Sequence, residues 1–194
     1  MKSSLRWTCC LFILLSACKS SKKEEPKNFI SIVSLIKKQV AHIDTSLYSI
    51  KKVTVIDSLH SDTAYIQRED FNNAAKEFLE VPDLSVRKVA KRYKEEPARY
   101  DELLGRVIIT YSAINPAKEE YKTQEMLVTP NIASGDRVNT IIINRNYKEG
   151  DVAVTKNLLW QMDKSFQITT TRQKEGEAEK TVVTKVIWTE DEQE

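Results

Sequence analysis

Histidine, cysteine and glycine are scarce in this chain: it has two, three and four of them in 194 residues. Each shortage removes a class of chemistry. His42 and His60 do not form HExxH or any other paired ligand spacing, so no metal site is expected. With four glycines there is no GxxxxGKS phosphate loop, no GxGxxG, no GxSxG elbow and no EF-hand loop. No apolar run reaches the roughly 20 residues that a membrane-spanning helix needs. An excess of charge of one sign is missing too, with 30 Lys+Arg against 28 Asp+Glu. Nucleic-acid binders carry a basic surplus, and a polybasic grip on anionic lipid needs clustered unpaired cations. Neither is present.

What is there begins with MKSSLRWTCCLFILLSAC. Lys2 and Arg6 precede an apolar run from Trp7 to Leu15, then small residues lead to Cys18. This is the order of a secretory signal peptide, too short to cross a bilayer. Leu15-Ser16-Ala17-Cys18 resembles the lipobox of bacterial lipoproteins. The resemblance implies cleavage before Cys18, a diacylglycerol on the Cys18 thiol and, in many bacteria, an acyl chain on the new amino terminus. Residues 1–17 are thus read as signal peptide. Cys9 and Cys10 would leave with it, and the sulfur of Cys18 would be used by the lipid. No disulfide, cysteine metal site or cysteine nucleophile is then expected. Loss of Lys2 and Arg6 reduces the 30 basic residues to 28, equal to the 28 acids. Acyl chains, at ~0.8 kcal/mol per buried CH₂, would have to hold the protein to its membrane.

Residues 18–27 read as lipidated cysteine and flexible tether: Lys19–Lys27, KSSKKEEPK, offers nothing apolar but Pro26 and is expected to remain disordered. The resemblance to sorted lipoproteins bears on location. An Asp after the cysteine favours inner-membrane retention, and Lys19 stands there instead, so outer-membrane delivery is expected. Some Bacteroidota lipoproteins reach the cell surface by an acidic patch after the cysteine. Lys22-Lys23-Glu24-Glu25 departs from that order, which leaves the periplasmic and surface faces both open. In overall texture the chain resembles the small uncharacterised lipoproteins of Bacteroidota, and that resemblance implies no activity.

A single α+β domain is expected over 28–190, with an acidic tail at 191–194. Phe29, Ile32, Val33, Ile36, Val40 and Ile43 recur at helical spacing, predicting a helix over 29–42 capped by Asn28. A β-branched run over 49–56 predicts a strand. Phe71, Ala74, Ala75, Phe78 and Leu79 predict a second helix, with Glu69 and Asp70 in its first turn. After Pro82, Val86, Val89, Ala90 and Tyr93 predict a third. Its outer side, Arg87, Lys88, Lys91, Arg92 and Lys94, reads as a solvated face or a dock for an acidic partner.

From about residue 100 the apolar period changes from 3.6 to 2. Six runs, 106–114, 121–130, 137–145, 155–162, 166–173 and 180–189, predict a roughly six-stranded, mostly antiparallel meander with the helices packed on it. A three-residue loop 163–165 would pair Met162 with Phe166 and Trp160 with Ile168. Ile141-Ile142-Ile143 puts apolar side chains on both faces of one strand, so both faces are expected to be covered. The cover would be helices, the amino-terminal segment, a curl of the sheet or a second copy.

No catalytic residue is assigned. Asp57, Asp62, Glu69 and Asp70 cluster in sequence, where turn formation and helix-dipole compensation account for them. Trp160, Trp188, Tyr111 and Tyr121 have the chemistry of a sugar or peptide groove and equally that of core aromatics. The expectation is a lipid-anchored envelope protein acting as a non-catalytic binding or structural module, without cofactor, with a homodimer through a sheet face among its partners. The other class is an envelope hydrolase using paired carboxylates.

Overall fold

The alternating apolar runs build one sheet, and the amphipathic segments close one side of it. A computed structural model describes residues 28–56, 60–133 and 135–189. The lipobox, Cys18, the tether, Asp57 and the acidic tail lie outside them.

Helix α1 (Ile32–Asp44) starts at Ser31, whose hydroxyl accepts from the Ser34 N–H at 3.1 Å. Ser31 therefore takes the capping role expected of Asn28. The helix buries Ile32, Val33, Ile36, Val40 and Ile43, each contributing about 1.5–3 kcal/mol. The hairpin β1 (Ile50–Val55) and β2 (Ser61–Ile66) follows. The stripe read as one second helix breaks at Ala75 into α2 (Arg68–Ala74) and α3 (Lys76–Leu79). The expected third helix is a single turn, α4 (Arg87–Ala90), and Tyr93 belongs instead to a short strand, β3 (Tyr93–Glu95). Asp83 tightens the approach to that turn by accepting from the Ser85 N–H at 3.0 Å and its hydroxyl at 2.7 Å.

Strand β4 (Arg99–Asp101) leads into the long meander: β5 (Arg106–Ala113), β6 (Tyr121–Thr129), β7 (Arg137–Glu149), β8 (Val152–Gln161), β9 (Ser165–Lys174) and β10 (Lys180–Ile187). These are the six expected runs, with β7 and β8 longer than their apolar parts. The sheet, however, has ten strands among the described residues, in the order β2-β1-β10-β9-β8-β7-β6-β5-β3, with β4 on β5. Strand β1 pairs antiparallel with β10, so the amino-terminal hairpin extends the sheet instead of covering it.

The expected β8–β9 register is corrected by two residues. Trp160 pairs with Phe166 and Leu158 with Ile168. The three-residue turn is Met162-Asp163-Lys164, with Asp163 at φ +62°. Aspartate tolerates that left-handed conformation better than Ser165 would in the register first expected. The slip of two keeps every side chain on its face. Helix α1 docks on this same turn: Gln39 donates to Asp163 Oδ1 at 2.6 Å and accepts from its N–H at 2.8 Å.

All three of α1, α2 and α3 bury their apolar residues in one core with the inner sheet face, which supplies Met126, Ile141, Ile143, Leu158, Trp160 and Phe166. Ile142, between two buried isoleucines, points the other way and is only half-buried. Of the covers expected for the two faces, helices supply one: among the described residues only one face has a helix layer, and the amino-terminal hairpin does not lie on the other.

Candidate functional site

The space between helices and sheet is filled by aromatic rings. Phe71 and Phe78 meet Trp160 edge-on at 6.4 and 5.1 Å between centroids, and Trp160 stacks on Phe166 at 5.2 Å with the planes 18° apart. Trp188 completes the group at 5.3 Å from Phe71. Trp160 and Trp188 are thus core, not groove. Tyr111 is core as well: its hydroxyl accepts from the Ile30 N–H at 3.2 Å, and its ring lies 4.6 Å from Phe29. Two buried polar atoms in this interior, Trp160 Nε1 and Gln124 Oε1, have no hydrogen-bond partner among the described residues.

The titratable residues singled out in the sequence do not converge. His42 ends α1 with its ring edge on Tyr48, 6.2 Å away. His60 stands at the far end of the β1–β2 hairpin, where its carbonyl accepts from the Ile56 N–H. Asp62 lies on β2, while Glu69 and Asp70 start α2, all three exposed. Among the described residues no three of His, Cys, Asp and Glu are grouped to hold a metal ion. Of the basic residues near α4, Arg92 pairs with Glu119 and Lys94 with Glu96, leaving Arg87, Lys88 and Lys91 as an exposed face.

A surface cleft of about 510 Å³ opens between the 117–122 loop and the β7–β8 end, lined by Lys118, Glu119, Glu120, Lys122, Tyr147 and Lys148 among others. Its charges are largely answered within the chain. The Arg145 guanidinium, beside the cleft, lies between the Tyr121 and Tyr147 rings at 5.1 and 4.4 Å and forks onto Glu120 at 2.7 and 3.0 Å. Lys122 donates to the carbonyls of Pro116 and Glu119. A smaller cleft of about 220 Å³ lies along α1 beside Lys37, Val40 and Leu79. Tyr121, the fourth aromatic singled out in the sequence, is half-buried under Arg145 rather than open to a ligand.

The shifted groups all move away from neutral pH. Burial favours protonation of the Asp83 carboxyl, but hydrogen bonds from Ser85 and Ser31 together with the Lys37 charge outweigh it and hold the group below its usual range. Bonds from Lys94 and Ser112 do the same for Glu96. Burial raises the phenols of Tyr111, Tyr121 and Tyr147. Tyr93, whose hydroxyl donates to the Tyr121 carbonyl at 3.0 Å, is pushed up to about 12, chiefly by burial and then by Glu119. None of these is tuned for proton transfer near pH 7, where general acid–base catalysis works best. A pH test follows from Tyr93. Its phenol is raised from 10.0 to about 12 in the folded state, so its stabilising contribution is complete below pH ~10 and is lost between ~10 and ~12. Ultraviolet titration should show Tyr93 among the late tyrosinates of that upper window, and Tyr93→Phe should remove one tyrosinate from it; a Tyr93 titrating with the exposed phenols would contradict the burial.

The remaining surface of note is the outer sheet face. The pairings place Glu125, Ile142, Leu159, Gln167 and Lys185 in one row across β6, β7, β8, β9 and β10. The next row holds Leu127, Thr140, Gln161, Ser165 and Ile187, of which Leu127, Thr140 and Ser165 are buried within the chain. Ile108, Ile142, Leu159 and Ile187 are half-buried here and take no part in the core. Glu125 and Lys185 have no ion-pair partner among the described residues, and with four strand spacings between them they lie roughly 19 Å apart. The three consecutive isoleucines pointed to this face; the charges on it became visible only with the strand order. Comparison with known protein families, with curated proteins and with solved structures finds no match to this chain.

Proposed function

We propose that this protein is a lipid-anchored cell-envelope module that works through its surface and carries no catalytic centre. A diacylglycerol on Cys18 and an acyl chain on its amino group hold it in the membrane, with Lys19 favouring the outer one. The observation that carries the binding part is the outer sheet face, a broad half-apolar surface on a domain whose interior is already filled by its own aromatics. The carboxylates singled out in the sequence are scattered among the described residues, which gives the alternative, a hydrolase with paired acids, nothing to build on.

The anchor is tested by Cys18→Ala. The variant should leave the membrane fraction and lose metabolic palmitate labelling altogether; a variant that keeps both would refute it. The module is tested by purifying the native lipoprotein from envelope membranes under mild detergent. A stoichiometric companion or a second copy is the expected result, and hydrolysis of envelope polymers by the pure protein would overturn the reading.

A further inference from the structure

The geometry points to a second copy of this chain as the occupant of the outer sheet face, the two sheets packed face to face about a two-fold axis running along β8. Packed twisted sheets keep their strands within about 30° of each other, so an axis along the strands preserves the rows. The strand order places β6 and β10 symmetrically about β8, two strands to either side. Such an axis therefore sets Glu125 of one copy over Lys185 of the other, and Lys185 over Glu125. Leu159 falls on the axis against its own equivalent. In the next row Leu127, Thr140 and Ser165 are already buried within the chain, so the contact is centred on the Leu159 row. The two charges left unanswered among the described residues thus find their partners on the other copy, with Leu159 between them.

An axis across the strands does not do this: near the Leu159 row it would stack Lys185 on Lys185 and Glu125 on Glu125. The charge pairing stands independently of the lipid anchor proposed above.

The size is sufficient for a specific contact. Seven strands at ~4.8 Å and five residues at ~3.3 Å cover about 550 Å² per copy, or about 1,100 Å² together, above the ~1,000 Å² that a specific contact needs and just below the standard range. Two-dimensional confinement on a membrane would favour such a dimer further by raising its effective concentration.

The test uses the full lipoprotein in its own membranes. Leu159→Cys, at the axis, should cross-link to itself under mild oxidation and run at twice the monomer mass, whereas Glu102→Cys in the β4–β5 turn should not. In detergent, Glu125→Lys and Lys185→Glu should each raise the dimer dissociation constant on the order of tenfold, since each creates a like-charge contact. The double variant should return to near the parent value. No Leu159→Cys cross-link, or a double variant no tighter than the singles, would overturn the proposal, as would a cross-link to a protein of another mass. Wild type that cross-links under the same oxidation would report a free Cys18 thiol, a failure of the anchor and not of the dimer.

Discussion

Truncating Phe78 to alanine is expected to cost about 3–5 kcal/mol of folding stability. Helix α3 has four residues, far below the length at which a helix holds by itself. Its place is set by what Phe78 touches. The ring lies 5.1 Å from Trp160 and 5.2 Å from Phe166 and is fully buried. The Lys156–Glu77 ion pair at 2.6 Å assists at the margin, but a partly exposed pair contributes at most about 1 kcal/mol. Removing the ring leaves a void among rigid aromatics that cannot collapse, which puts the cost at the upper part of the range. With total stability of ~5–15 kcal/mol for an ordinary domain, the loss should appear as a large fall in the urea midpoint with an unchanged slope. Near-ultraviolet circular dichroism should weaken as the tryptophans lose their fixed neighbours. Phe78→Leu should recover about half. An alanine variant within ~1 kcal/mol of the parent would mean that α3 does not hold the helix layer to the sheet.

The sheet was legible where period and punctuation agreed. Runs at 106–114, 121–130 and 180–189 became β5, β6 and β10 almost unaltered, because each is rich in β-branched residues and is preceded by turn chemistry. Strand β2 escaped because Ser61–Ile66 sits on the sheet edge with five of its six residues exposed, so no burial wrote a pattern into it. The helical stripes were overread. Residues 71–79 keep helical spacing across the break at Ala75, since α2 and α3 share one core. Tyr93 continued the spacing of α4 by chance of position and is buried as a strand residue against Ala113. The hairpin register depends on where the chain tolerates positive φ, and aspartate at 163 is a weaker signal for that than glycine. The outer face could be suspected from Ile141-Ile142-Ile143, but its charge pattern requires knowing that β6 and β10 flank β8 at equal distance. That is a property of strand order, and strand order is written in contacts far apart in the chain.

Those three isoleucines provide the sharpest contrast in the molecule. Ile143→Asp should prevent folding outright. Its side chain is fully buried, pairing with Leu158 on one side and Gln124 on the other, and no cation stands in that row to answer a carboxylate. An unpaired charge there costs several kcal/mol even if it is taken up protonated, added to the lost packing of ~2–5 kcal/mol. Together these match or exceed the whole stability of a typical domain. Ile142→Asp, one residue away, should behave differently. That side chain faces outward and half-exposed, so the carboxylate remains in contact with water and the melting temperature of the monomer should shift by only a few degrees. What it should remove is association, because it sets a charge beside Glu125 in the row that meets the partner copy. Soluble, folded, monomeric Ile142→Asp beside insoluble or proteolysed Ile143→Asp is the expected pair of results. If both variants unfold alike, the outer face is covered by this chain itself, and the surface assigned to a second copy does not exist.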